Sequence, residues 1–140
     1  MSAGPADPLV LVADDDEDLL ELACIQLADA GYRVARATDG DQALRIAREE
    51  MPDVCVFDVI MPGLHGHEVL NELRDDEATA AIPVLLVTAT LEQRALWRLG
   101  PRPDDCMHKH ELGAELEDRV GALLSARVSL GAAEPAGEPA

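Results

Sequence analysis

The chain has 140 residues and 48% of them are hydrophobic, which is enough for one compact domain with its own core. Aromatic residues make up only 2%, so we expect a core of leucine, valine and alanine. The formal net charge of −17 argues against direct contact with nucleic acid or with anionic lipid.

Targeting features are missing from the sequence as given. No apolar run approaches the roughly 20 residues of a membrane helix, and residues 1–8 lack the basic flank and apolar core of a secretory signal. We therefore expect a cytoplasmic location. The three cysteines, Cys24, Cys55 and Cys106, are an odd number without C-x-x-C spacing. This pattern favours buried thiols over a disulfide or a zinc site.

The N-terminal part of the chain predicts a flexible leader followed by a strand and a helix. The leader is residues 1–8, and the strand is the apolar run 9–13. Apolar residues then recur at three- and four-residue spacing over about 17–30, which indicates an amphipathic helix. Gly31 follows, and glycine is a favoured helix terminator.

A second strand and a second helix follow. Valine and arginine alternate over 32–37, as they do in a strand at the edge of a sheet. Either Thr38 or Asp39 is placed to cap the next helix, and Met51 and Pro52 end it.

The centre of the chain carries its most strand-like sequence. The run 54–57 is apolar and rich in β-branched residues, Asp58 ends it, and a Pro-Gly turn comes soon after. A third helix is predicted at about 67–74. A fourth strand over 83–88 ends in Thr88.

The C-terminal part predicts a short helix at 91–99, a strand at 106–108 and an amphipathic helix at about 114–126. Residues 128–140 are dominated by alanine, glycine, proline and glutamate, so we expect a disordered tail.

Strand and helix alternate five times along the chain, which is typical of an α/β fold with a doubly wound parallel sheet. Right-handed crossovers then place helices on both faces of the sheet. The predicted domain covers residues 9–127. No second domain is predicted, so we expect no output domain within this chain.

Polar side chains follow four of the five predicted strands at their carboxyl ends. They are Asp14, Asp15, Asp58, Thr88 and Lys109. Ligands bind at this edge of an open α/β sheet, so we expect one pocket. Three carboxylates in a pocket repel one another, and Mg²⁺ would relieve that repulsion. A carboxylate can also accept a phosphoryl group, which a lysine and a hydroxyl are suited to hold.

Four segments, together and in this order, resemble the receiver domains of response regulators in two-component signalling. The resemblance covers about residues 9–126. It implies a flavodoxin-like five-stranded parallel sheet with strand order 2-1-3-4-5 and five helices. The matching segments are 12–16, 52–63, 83–89 and 104–109.

The resemblance implies roles for the residues of the predicted pocket. Asp58 would be the phosphoacceptor. Asp15, Asp58 and the backbone carbonyl of Ile60 would bind Mg²⁺ directly, and Asp14 would hold the ion through water. Positioning and charge neutralisation would then do most of the catalytic work.

Thr88, the backbone N–H of Ala89, and Lys109 would hold the phosphoryl oxygens in such a domain. The donor would be a phosphohistidine on a sensor histidine kinase or a phosphotransfer protein. The chain would then be a stand-alone signalling domain rather than an enzyme, acting by contact with a downstream protein.

Four residues are candidates for switching or output: Thr88, Trp97, Cys106 and His110. Cys106 stands where the family usually has an aromatic residue, and His110 stands where a proline usually follows the lysine. A cis bond before a residue other than proline costs about 2.5–4 kcal/mol, so we predict a trans Lys109–His110 bond.

Trp97 lies opposite the apolar residues of its short helix on a helical wheel. It is interpreted either as a core residue of an irregular helix or as an exposed anchor. An anchor there would serve a partner, or a dimer formed through the fourth helix, fifth strand and fifth helix. The four histidines, none of them at metal-ligand spacing with a cysteine pair, are interpreted as surface residues: His65, His67, His108 and His110.

Two other classes of function compete with a phosphorylated receiver. One is a pseudo-receiver, an interaction module that is not regulated by phosphorylation; the altered output residues favour it and the intact acidic set argues against it. The other is a Mg²⁺-dependent phosphatase with an aspartyl intermediate. Such enzymes usually carry an Asp-x-Asp motif, which does not occur around Asp58.

Overall fold

A five-stranded parallel sheet forms the centre of the computed structural model, which describes residues 7–90 and 101–137, with side chains as far as Arg127. The strand order is β2-β1-β3-β4-β5, so the predicted order is confirmed. The elements are β1 Leu9–Ala13, α1 Glu17–Asp29, β2 Arg33–Ala37, α2 Gly40–Glu50, β3 Val54–Asp58, α3 Gly66–Asp75, β4 Val84–Thr88, β5 Asp105–His108, a 3₁₀ turn Lys109–Glu111 and a C-terminal helix Leu112–Gly137.

Four α-helices lie within the described residues, against five in the prediction. The predicted helix at 91–99, with Trp97, falls outside them. None of the helices in the described part of the chain is both long enough and apolar enough to cross a membrane.

Each face of the sheet packs against its own pair of helices. Leu11, Phe57 and Leu86 point to one face and pack with α2 and α3. Val56 and Leu85 point to the other face and pack with α1 and the C-terminal helix. Successive strand residues alternate between the faces, so strands buried on both sides read as continuous apolar runs.

Aspartates cap the first two helices. Asp16 accepts hydrogen bonds from the backbone N–H groups of Asp18 (3.0 Å) and Leu19 (3.2 Å), and Asp39 accepts one from Gln42 (2.7 Å). These contacts satisfy N–H groups that have no partner within the helix. The caps fix where the chain leaves the carboxyl edge of the sheet.

The C-terminal helix extends further than predicted. It begins at Leu112 and is continuous to Gly137, whereas the sequence predicted a helix over about 114–126 and a disordered tail over 128–140. The added segment contains three alanines, a leucine and a glutamate, which have high helix propensity, although two glycines and a proline stand among them. Near its middle, Arg127 donates a hydrogen bond of 2.9 Å to the carbonyl of Asp53, which joins the helix to the start of β3.

The cysteines are free thiols, as predicted. Cys24 and Cys55 are buried, but Cys106 is only half-buried, so the expectation of a buried thiol is wrong at that position. The reason is its place on β5, an edge strand of the sheet, where one side of the strand has no neighbouring strand.

Met51 ends α2 in the left-handed conformation, with φ 49°. Its side chain is exposed. A residue with a Cβ atom adopts this conformation at a cost of roughly 1–2 kcal/mol, which glycine avoids. We expect Met51→Gly to raise the free energy of unfolding by only about 0.5–1 kcal/mol, because the relief of this strain is partly offset by the greater freedom of glycine in the unfolded chain. Urea denaturation measures the change. Met51→Ala keeps the Cβ atom and is the control; a glycine variant no more stable than the alanine variant would contradict the explanation.

Candidate metal and phosphoryl site

The site is built at the carboxyl edge of β1 and β3, which are neighbours in the sheet. Asp14 directly follows β1 and Asp58 is the last residue of β3. Both are almost fully buried, with exposed fractions of 6% and 4%. Parallel pairing aligns Ala13 with Phe57, so the two acidic residues that follow are brought side by side. The positions of the apolar runs in the sequence are therefore sufficient to predict that Asp14 and Asp58 lie side by side.

Three carboxylates converge at this edge. One oxygen each from Asp14, Asp15 and Asp58 lie within 4.8 Å of one another, and the Asp15 side chain is exposed. The group thus has two buried members and one open to solvent. Mg²⁺ prefers oxygen donors, usually one or two carboxylates together with waters, so a group of three that is open to solvent on one side fits a magnesium ion.

Local hydrogen bonds hold Asp14 in place. Its Oδ1 accepts from the backbone N–H of Asp16 at 2.9 Å, and its own N–H donates to the carbonyl of Ala37 at 3.1 Å. Asp16 in turn caps α1. Asp14 and Asp15 thus belong to the group of carboxylates at the sheet edge, whereas Asp16 caps the helix.

Lys109 reaches the carboxylates from the 3₁₀ turn after β5. Its Nζ lies 2.9 Å from Oδ2 of Asp58 and 3.7 Å from Oδ2 of Asp14. Burial alone would lower the pKa of Lys109, but its hydrogen bond to Asp58 and the charges of the aspartates raise the pKa above its ordinary value. Lys109 therefore stays charged at neutral pH.

Asp58 is the most perturbed acid of the site. Its pKa is raised from 3.8 to about 6. Burial is the largest cause and the nearby charge of Asp14 adds to it, whereas the hydrogen bond from Lys109 lowers the pKa. One lysine thus offsets only part of the cost of burying this carboxylate next to another.

The loop after β3 passes close to Asp58. A Cβ atom on Gly66 would collide with the carbonyl oxygen of Asp58, so only glycine fits at the start of α3. Ile60 lies in this loop, two residues beyond the strand, with 39% of its surface exposed. The loop that carries Ile60, whose carbonyl is the predicted ligand, is therefore held close to the end of the strand.

Thr88 ends β4 and is fully buried, and Ala89 follows it with an exposed side chain. The Thr88 hydroxyl lies 3.5 Å from the carbonyl oxygen of Met107 in β5, to which it donates. Thr88 is thus at the predicted edge of the sheet. The phosphoryl-binding roles of these two residues stay predictions.

The output candidates lie around β5. Cys106 pairs in register with Leu86, and its carbonyl accepts a 3.0 Å hydrogen bond from Arg119. Arg119 also contacts both carboxylate oxygens of Asp105, at 3.0 and 3.1 Å. His110 is exposed. No cis peptide bond occurs among the described residues, so the predicted trans Lys109–His110 bond is confirmed.

The interpretation of all four histidines as surface residues is wrong for three of them. His65, His67 and His108 are half-buried. His65 N-caps α3 and His108 N-caps the 3₁₀ turn, each with a glutamate three residues later that accepts from its backbone N–H. The signal that could have identified them is a cap residue followed at +3 by glutamate, a pattern usually recognised with serine or threonine.

Comparison with known proteins gives a consistent result. Residues 10–120 match the family model of the response regulator receiver domain. The transcriptional regulatory protein PrrA of Mycobacterium tuberculosis is 40% identical over 129 residues, which cover 92% of this chain and 55% of PrrA. The alkaline phosphatase synthesis transcriptional regulatory protein PhoP of Bacillus subtilis is 38% identical, with 82% of this chain and 48% of PhoP covered. The chain thus spans about half the length of these relatives.

Solved structures agree with the family match. The receiver domain of the Francisella response regulator 1452 is similar with a TM-score of 0.75 and 31% identity, covering 86% of this chain and 98% of that domain. The response regulator TrrA of Thermotoga maritima, solved with Mg²⁺ and BeF, has a TM-score of 0.73 and 29% identity, covering 84% and 99%. The fold and the sequence around Asp14, Asp58 and Lys109 thus both match one family. The chain belongs to the response regulator receiver domains.

Proposed function

We propose that this domain accepts a phosphoryl group on Asp58 from a phosphohistidine, in a reaction that requires Mg²⁺, and signals through contact with another protein. The observation that carries the proposal is the position of Asp58, a buried carboxylate 2.9 Å from Lys109 and grouped with Asp14 and Asp15. A lysine and two further carboxylates around one acceptor carboxylate supply the charge pattern that phosphoryl transfer with a bound cation needs.

Asp58 would act as a nucleophile in this reaction. A carboxylate oxygen attacks phosphorus, the bond from phosphorus to the donor nitrogen breaks, and the electron pair stays on the leaving imidazole. The attacking group must be ionised, and with a pKa of about 6 most Asp58 side chains are ionised at neutral pH. Lys109 stabilises this ionised form through its hydrogen bond and would contact the added phosphoryl oxygens afterwards.

Asp14, Asp15 and Asp58, with the backbone carbonyl of Ile60, would hold the magnesium ion. When bound, Mg²⁺ supplies positive charge that neutralises both the carboxylates and the transferring group. The similarity to TrrA, whose structure contains Mg²⁺ and BeF, supports this assignment. Thr88 and the backbone N–H of Ala89 would donate hydrogen bonds to the phosphoryl oxygens.

The partners follow from the family. Receiver domains take their phosphoryl group from a sensor histidine kinase or a phosphotransfer protein, and we propose the same for this chain. PrrA and PhoP are named as transcriptional regulators, and the matched region is about half of each. The net charge of −17 on this chain favours a protein rather than a nucleic acid as the direct contact.

Phosphorylation of Asp58 is the first test. Incubation with acetyl phosphate and Mg²⁺ should add one phosphoryl group per chain, measured by intact mass, and Asp58→Asn should abolish the gain. Asp53→Asn is the matched control, because it keeps an oxygen for the 2.8 Å hydrogen bond from Leu9 at the other end of β3. Stoichiometric labelling of Asp58→Asn would remove Asp58 as the acceptor. An unlabelled wild type would favour a pseudo-receiver, and rapid release of phosphate would favour a phosphatase.

Removal of one ligand should weaken magnesium binding. We expect Asp15→Asn to lower the Mg²⁺ affinity by about tenfold or more, because a carboxylate of the set is lost. Asp16→Asn is the neighbouring control: asparagine caps a helix as well as aspartate does, so affinity should stay near that of the wild type. Titration calorimetry measures both, and an unchanged affinity in Asp15→Asn would exclude Asp15 as a ligand.

The raised pKa of Asp58 predicts a pH-dependent cost in metal-free protein. Between about pH 4 and pH 6 the folded chain keeps a proton on Asp58 that the unfolded chain has lost, so this group's contribution to stability falls as pH rises. Above pH 6 the loss is complete, on the order of 2–3 kcal/mol. In chelator, Asp58→Asn should therefore melt several degrees above wild type at pH 8 and close to it at pH 4.

Thermal melts of variant and wild type across this pH range measure the difference between them, which cancels the contributions of other acids. Asp118→Asn removes an exposed carboxylate of the C-terminal helix and should follow the wild type at every pH. A stability gain in Asp58→Asn that is the same at pH 4 and pH 8 would contradict the assigned cause.

A further inference from the structure

The turn after β5 fixes the backbone on both sides of Lys109. The N–H of His108, just before the lysine, donates to Oε1 of Glu111 at 2.8 Å. The N–H of His110, just after it, donates to Nδ1 of His108 at 3.1 Å. The carbonyl of Lys109 itself accepts from the N–H of Leu112. These three hydrogen bonds engage three peptide units between Met107 and Leu112, so the backbone is restrained on both sides of Lys109.

The same turn is anchored to the core at both ends. His108 pairs in register with Thr88 on β4, and Leu112 is buried, with 6% of its surface exposed. Lys109 lies between these anchors. Its long side chain has several rotatable bonds, and holding it in one arrangement costs conformational entropy. A fixed backbone lowers this entropy cost, because only the side chain of Lys109 must be ordered when Nζ pairs with Asp58.

Two loops of the site carry the same four-residue pattern, His-x-His-Glu. One is 65–68, after β3, and the other is 108–111, after β5; together they contain all four histidines of the chain. In both, the glutamate accepts from the N–H of the first histidine at 2.8 Å. The first histidines differ: Nδ1 of His65 lies 2.9 Å from the carbonyl of Met61, whereas Nδ1 of His108 accepts from the following turn.

We propose that His108 and Glu111 are positioning residues for Lys109: their reciprocal hydrogen bonds hold the trans turn that brings the lysine to Asp58. The inference rests on the proposed function for its consequence, which is the rate of phosphoryl transfer. Its structural part, the placement of the lysine amine, is independent of phosphorylation. The hydrogen bonds that the two side chains accept come from backbone N–H groups on either side of Lys109, so each acts through the backbone of the lysine.

Lys109 is the single lysine of the chain, so its amine can be followed without interference from other side chains. The first measurement is the rate at which an N-hydroxysuccinimide acetate acylates Lys109 in chelator, located by peptide mapping. An amine held against Asp58 reacts slowly, and a released amine reacts faster. The second measurement is the rate of labelling by acetyl phosphate with Mg²⁺. Thermal melts confirm that each variant is folded.

Two variants remove the hydrogen bonds and two keep them. His108→Ala and Glu111→Ala should each acylate about fivefold faster and label with phosphate about fivefold more slowly, the ratio expected for loss of a good cap. His108→Asn should restore both rates, because an asparagine oxygen accepts from the same N–H. His110→Ala removes an exposed ring whose centroid lies 4.1 Å from that of the His108 ring, but it keeps the N–H that donates to His108, so it should match the wild type in both.

An unchanged acylation rate in folded His108→Ala, or in folded Glu111→Ala if the first variant does not fold, overturns the proposal. Equal acceleration in His108→Asn and His108→Ala also overturns it, since the hydrogen bond would then not be the cause. If acylation changes as expected but the wild type takes no phosphoryl group, the proposed function fails and the positioning of Lys109 stands. The two hypotheses are therefore separable in one set of variants.

Discussion

The repulsion between buried carboxylates at the edge of a parallel sheet is the constraint on which the rest of this structure depends. Asp14 directly follows β1, Asp58 ends β3 and both are almost fully buried; burial, together with the charge of Asp14, disfavours the ionised form of Asp58. A packed sheet with helices on both faces is what keeps them together, because no local contact would. The domain thus uses the stability of its core to hold an unfavourable pair at the edge where we propose that a phosphoryl group and a cation bind.

The parts of this site that could be predicted are those that follow from strand periodicity. Each apolar run of the sequence became a strand, and parallel strands necessarily align their carboxyl ends. Asp58 could be placed from the run 54–57 alone, since a polar residue after a doubly buried strand lies at the edge where ligands bind. Lys109 was harder, because β5 is short and mostly half-buried, and its phosphoryl-binding role was inferred only from the family resemblance.

The parts that could not be predicted depend on the geometry of turns. Whether a histidine side chain is on the surface or caps a turn is decided by backbone angles that composition does not encode, as for His65 and His108. The half-burial of Cys106 reflects its position on an edge strand, which is a property of strand order rather than of local sequence. The extent of the C-terminal helix was missed because glycine and proline in the tail outweighed its alanines in the sequence reading.

The turn after β5 also bears on how quickly the site can recover from fluctuations. Its restraints link residues two or three positions apart, whereas the acidic pair is joined only through the complete sheet. Segments closed by such short-range contacts form on the order of 10–100 ns, far faster than pairing between distant strands. After a local opening the lysine loop can therefore re-form while the sheet stays intact.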